Sequence, residues 1–133
     1  MMGVIPFFES AFGGGIEMVR MRVAIPTKGG RGLEEVISEV FGRAPCFTLV
    51  DLEGGSVEHV EVLENVATKY EHGTGPIVVK MLADRGVNLV VAKEIGPGAK
   101  TLLEQNNIEL LKLGAGPTVA DVLKLVMARK KTS

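Results

Sequence analysis

The stretch Asn65-Val-Ala-Thr-Lys-Tyr-Glu-His-Gly-Thr-Gly-Pro76 decides how this chain is read, because it joins a segment that alternates like a strand to one with helical periodicity. A glycine-rich loop that delivers His72 to a helix N-terminus is the kind of junction at which α/β proteins bind ligands. Upstream of it, residues 46–52 and 56–63 flank Gly54-Gly55, the signature of a two-residue hairpin turn. A turn centred there sets Leu52 opposite Val57, Val50 opposite His59, Thr48 opposite Glu61 and Cys46 opposite Leu63. That register puts Phe47, Leu49, Val60 and Val62 on the core face. Cys46 and His59 then share the other face about 13 Å apart at strand rise, too far to share one metal ion.

Earlier still, residues 21–26 form an apolar run ended by Pro26 and are expected as a buried first strand. Leu33, Val36, Ile37, Val40 and Phe41 recur at helical spacing before Gly42, so residues 33–41 are expected as a short amphipathic helix. Downstream, the patterns predict a helix over 76–85, a strand over 87–92 and a helix from Ala99 that Asn106 and Asn107 close. A strand over 108–113 follows, then a last helix opened by Thr118 with Asp121 in capping-box spacing.

Strands separated by helices are joined by right-handed crossovers and run parallel, which gives the runs at 21, 87 and 108 one direction. Their carboxyl ends carry the loops at 27–32, 93–98 and 114–117. If the strand at 56 shares that direction, the 65–76 loop and Cys46 join the same edge. Gly75-Pro76, Gly96-Pro97 and Gly116-Pro117 each stand before a helical pattern, which is ordinary turn punctuation singly and an anion-binding rim if the three converge.

A chain of 133 residues with 46% hydrophobic content fits one α/β domain. Fifteen basic residues against 16 acidic ones, a net charge of -1, create no field that would draw nucleic acid or a membrane surface. The basic trio Arg129, Lys130 and Lys131 complements a helix C-terminus. The single cysteine excludes an internal disulfide and a cysteine-rich metal cage, and suits a reducing cytoplasm. No apolar stretch approaches the roughly 20 residues of a membrane span. Residues 1–20 carry no basic residue before Arg20, unlike a signal peptide, and are expected as an N-terminal extension, with Met18 or Met21 as alternative starts and 21–133 as the domain.

Gly96-Pro-Gly-Ala-Lys-Thr101 lacks the spacing of a phosphate-binding P-loop, and Val119 stands where the segment opening at Gly114 would need the third small residue of a dinucleotide fingerprint. Neither Ser38 nor Ser56 lies in a nucleophile elbow, and the first strand has no acidic residue for a metal-dependent nuclease. His72, Cys46 and His59 remain as residues with soft or switchable chemistry, and His59 reads as a surface residue.

Residues 38–47 (Ser-Glu-Val-Phe-Gly-Arg-Ala-Pro-Cys-Phe), Asn65, residues 71–76 (Glu-His-Gly-Thr-Gly-Pro) and residues 95–99 (Ile-Gly-Pro-Gly-Ala) together resemble the dinitrogenase iron-molybdenum cofactor biosynthesis family over about residues 21–127. The resemblance implies a three-layer α/β/α, ribonuclease H-like fold with a five-stranded mixed sheet whose second strand is antiparallel. It also implies a non-catalytic carrier of iron-sulfur or iron-molybdenum clusters or their precursors, with cluster donor or acceptor proteins as partners. On this pattern His72 and Cys46 are the metal-contacting candidates, and His72, Gly73, Gly75, Cys46, Asn65, Gly96 and Gly98 the cofactor-binding set. Two positions depart from the family: Val40 replaces a frequent histidine, and Lys93-Glu94 replaces small residues. Two other functions stay open, an anion- or phosphometabolite-binding module with Lys28, Arg31 and Arg43 as counter-charges, and a structural or oligomeric adaptor.

Overall fold

The computed structural model describes residues 20–113 and 117–132. Its organising strand is β1 (Arg20–Thr27), the apolar run expected around residues 21–26, in which every residue from Val23 to Thr27 is buried. β1 pairs antiparallel with β2 (Cys46–Glu53) and parallel with β4 (Leu89–Ala92). β3 (Ser56–Glu64) lies antiparallel to β2 on one edge and β5 (Glu109–Lys112) parallel to β4 on the other, giving the order β3-β2-β1-β4-β5. β3 therefore runs in the direction of β1, and β2 alone is reversed.

Helices cover both faces, because strands that are apolar on both sides must bury both. Helices α1 (Thr74–Asp84) and α2 (Pro97–Gln105) close one core around Phe47, Leu49, Val90, Val78 and Leu103. Helix α3 (Val119–Thr132) closes the other, where Val119, Val122, Leu123 and Val126 meet Val23, Ile25, Val50 and Val91. Its expected capping box is present: the Thr118 and Asp121 side chains lie 3.0 Å apart, and Asp121 Oδ2 accepts from the Thr118 backbone N–H at 3.3 Å. This is the ribonuclease H-like, three-layer arrangement that the resemblance implied.

The hairpin turn is where Gly54-Gly55 placed it, with φ of 62° and 84°. Leu52 sits opposite Val57 as expected, but a β-bulge follows, and Asp51 faces His59, Val50 faces Val60 and Cys46 faces Glu64. One extra residue in β3 reverses every later side chain. Val60 and Val62 consequently join Thr48 and Val50 on the α3 face, and Leu63 packs with Phe47 instead. The alternation alone could not reveal the bulge.

The helix expected over residues 33–41 is absent. Gly32–Glu34 makes a single 3-10 turn, after which Val36 and Ile37 extend to bridge Thr118 and Thr27. Two side chains compete with helical hydrogen bonding here. The Glu35 carboxylate accepts from the Val36 and Arg31 backbone N–H groups at 2.9 and 3.1 Å, and Ser38 Oγ accepts from the Val40 N–H at 3.2 Å. The apolar spacing was a burial signal, since Ile37 and Phe41 are in the core, but Val40 is 50% exposed.

Residues 1–19 and Gly114, Ala115 and Gly116 lie outside the described residues, so the expected extension and the third Gly-Pro loop have no structural account, although Arg20 belongs to β1. At the end of the sheet away from the converging loops, Arg22 holds Asp51 through Nε and Nη2 at 2.7 and 3.1 Å and donates from Nη1 to the Arg85 carbonyl at 2.7 Å. This fork ties β1 to β2 and to the end of α1.

Candidate functional site

The parallel strands β1, β3, β4 and β5 all end at one edge, so the loops that leave them converge there with the start of β2. Between these loops lies an open cleft of about 460 Å³ lined by Val40, Phe41, Gly42, Thr74, Gly75, Glu94, Ile95, Gly96 and Ala99. Its walls are the 40–42 segment and the N-terminal turns of α1 and α2.

Glycine and proline chemistry makes those turns close and sparsely capped. Gly73, the N-cap of α1, adopts the left-handed conformation at φ 74°, and neither it nor Gly96, the N-cap of α2, offers a side-chain cap. The first-turn N–H groups of Thr74, Gly75 and Ala99, residues that line the cleft, thus have no intrahelical partners. A Cβ on Gly42 would come within 2.7 Å of Thr74 Oγ1, so only glycine lets the 40–42 wall approach α1 this closely.

Asn65 fixes that approach. Its buried amide donates to the carbonyls of Gly42 and Ala44 at 3.1 and 2.8 Å, while Oδ1 accepts from the Ala67 N–H at 2.9 Å. With its amide and carbonyl engaged inside the chain, Asn65 acts here as the clamp of the rim. A second clasp joins the same two segments on the outside, where Arg43 Nη2 donates to the Glu71 carbonyl at 2.6 Å.

The residues expected from the sequence are divided by the fold. Gly75 and Gly96 line the cleft, Gly73 caps the helix that forms its wall, and Gly98 lies in the first turn of α2. His72 is exposed in the loop at the cleft's lip. Cys46 starts β2 at the same edge but on the other face: Phe47 enters the α1–α2 core, so the preceding side chain faces the α3 side. Burial pushes the Cys46 thiol up from its ordinary value, and the carboxylates of Glu64 and Glu35 add to the shift. His59 faces Asp51 on β3, away from the cleft.

Among the described residues no group of three or more His, Cys, Asp or Glu side chains is placed to hold a metal ion. The anion counter-charges are also separated: Arg31 is paired with Glu35 at 3.3 Å in the 28–35 segment, whereas Arg43 stands at the rim. Thr74, Phe41, Ile95 and Ala99 were not foreseen as site residues. The Gly42 signal could have found Thr74, but Gly42 reads equally well as a helix stop. Glu94 is the one ionisable residue in the lining, and Val40 gives the lip an exposed apolar wall.

A model of the dinitrogenase iron-molybdenum cofactor family matches residues 19–129. The chain belongs to that family. Among curated relatives, the uncharacterized protein MJ0580 of Methanocaldococcus jannaschii is 30% identical over 110 residues, covering 83% of this chain and 88% of its own. The crystal structure of PH0822 is 32% identical with a TM-score of 0.70, covering 82% of this chain and 92% of that one. A NifB-type candidate from Thermotoga (TM1290), solved by NMR, is 32% identical with a TM-score of 0.67, over 81% of this chain and 88% of its own. The apo form of the orange protein from Desulfovibrio gigas superposes with a TM-score of 0.74 at 24% identity, over 83% of this chain and 89% of that one, which shows a shared fold. No helix among the described residues is long and apolar enough to cross a membrane.

Proposed function

We propose that this family member is a non-catalytic carrier that holds an iron-sulfur or iron-molybdenum type cluster, or a precursor of one, at the rim formed by the 40–43, 71–75 and 94–99 segments. The observation that carries this reading is an open cleft, built from the segments in which the family resemblance resides, whose walls supply backbone N–H groups and almost no metal donors. Such walls suit a cargo that arrives with its own sulfide ligands and needs only one or two from the protein. They do not suit a resident mononuclear metal, which needs a closed donor set.

His72 is the protein ligand in this scheme, since it is accessible and stands immediately before the N-cap of α1. The N–H groups of Thr74, Gly75 and Gly98 hold the anionic part of the cargo. Cys46, at the same edge but on the opposite face, is available only to a cargo large enough to wrap the start of β2. Exchange partners are proteins that donate or accept the cluster, and the working compartment is the cytoplasm.

The test is anaerobic reconstitution with ferrous iron and sulfide, with and without molybdate, followed by visible absorbance. The carrier reading expects charge-transfer bands in the wild type that are lost or strongly reduced in His72→Ala. Featureless spectra from both proteins would rule it out.

A further inference from the structure

We infer that Arg43 is the side chain through which the rim contacts the negative charge of its cargo; this rests on the carrier reading and names the residue that recognises charge. Among the arginines from residue 20 to residue 113, the other four are each paired with a carboxylate. Arg20 pairs with Glu53 at 3.0 Å, Arg22 with Asp51 at 2.7 Å, Arg31 with Glu35 at 3.3 Å and Arg85 with Glu61 at 2.9 Å. Arg43 instead donates from Nη2 to a neutral acceptor, the Glu71 carbonyl, at 2.6 Å. That bond fixes the position of the guanidinium and leaves its charge uncompensated.

The place of this charge gives it a use. Arg43 directly follows Gly42, which lines the cleft, and its anchor directly precedes His72. The cation is therefore held between the cleft wall and the histidine loop, exposed to solvent, with the remaining donors of a five-donor fork available. The cleft lining itself offers only Glu94 as a charged side chain, which repels an anion. A cluster bearing negative sulfides is then drawn to the lip where Arg43 stands. Arg31 cannot replace it, being paired with Glu35, whose backbone carbonyl accepts from the Val119 N–H at the start of α3.

The alternative is that Arg43 is only a clasp, and the two roles differ in their response to salt and to charge-preserving substitution. The probe is tetrathiomolybdate, with orthophosphate as a second anion, titrated into the full chain and into Arg43→Gln and Arg43→Lys. Circular dichroism confirms the fold of each variant. Expected is wild-type binding of tetrathiomolybdate that weakens as salt rises. Arg43→Gln should weaken it about tenfold or more and remove most of the salt dependence, and Arg43→Lys should recover part of the loss, since it keeps the charge without the fork. A similar pattern with orthophosphate upholds the anion contact and shows that it does not discriminate for sulfide.

Wild-type affinity in Arg43→Gln would overturn the inference, and so would weakened affinity with unchanged salt dependence, which is the mark of a clasp. Failure of the wild-type chain to bind either anion would also overturn it. None of these outcomes alters the reconstitution spectra that judge the carrier reading, so the two can fail separately.

Discussion

The buried side-chain amide of Asn65 donates to the Ala44 carbonyl at 2.8 Å, locking the segment that precedes β2 to the turn that follows β3. The same side chain reaches Gly42 and the Ala67 N–H, so three backbone groups depend on it. Asn65→Ala leaves them without partners in a buried position. It should cost about 2–4 kcal/mol, read as a lower urea midpoint with an unchanged slope. A loss below about 0.5 kcal/mol would show that water replaces the amide without penalty.

Glu35 supplies a pH signature. The Val36 N–H, together with Arg31, holds its carboxyl below the ordinary glutamate range, against the opposing effect of burial. Because the folded value is depressed, the unfolded chain binds more protons across the window between the two. The contribution is complete above the unfolded value of about 4.3 and is lost as pH falls through the folded one. Denaturation midpoints across that range should fall less steeply in Glu35→Gln than in the wild type.

Gly29 tests the same carboxylate from the other side. A Cβ at Gly29 would stand 2.8 Å from Glu35 Oε1, an atom held by two hydrogen bonds from Arg31 and unable to retreat freely. Gly29→Ala should destabilise by about 1–3 kcal/mol, and Glu35→Gln should not relieve the clash, since it keeps the same volume. Thermal unfolding of the two single variants and the double variant checks this.

Cys46 should react slowly. With its thiol pushed up by burial and two carboxylates, the thiolate fraction near neutral pH is small. Iodoacetamide at pH 8 should label the folded chain more slowly than the urea-unfolded chain. Equal rates would mean that the thiol is as ionised and accessible as in a free peptide.

Much of the fold was legible because its signals are local. Gly54-Gly55 announced the hairpin, Thr118 and Asp121 the last helix, and the apolar run from Val23 to Ile25 the central strand. What was hidden depended on distant partners. Val36 and Ile37 carry helical spacing but extend, because Thr27 and Thr118 offer bridges and Glu35 claims the N–H groups of the turn. The bulge opposite Asp51 changed the face of Val60, Val62 and Leu63 without leaving a mark in the alternation. At the site, glycine positions pointed to the rim, yet the separation of Cys46 from His72 followed only once the strand faces were known. The clamp role of Asn65 required the carbonyls of Gly42 and Ala44 to be seen beside it.

The central claim is that His72 holds a cluster that brings its own sulfides to an open rim. It is tested most directly by counting metal retained per chain through anaerobic gel filtration after reconstitution with iron and sulfide. The wild type should retain about one cluster's worth of iron or more with matching sulfide, and His72→Ala little despite equal folding stability. Equal retention by both proteins, or none by the wild type, would contradict it.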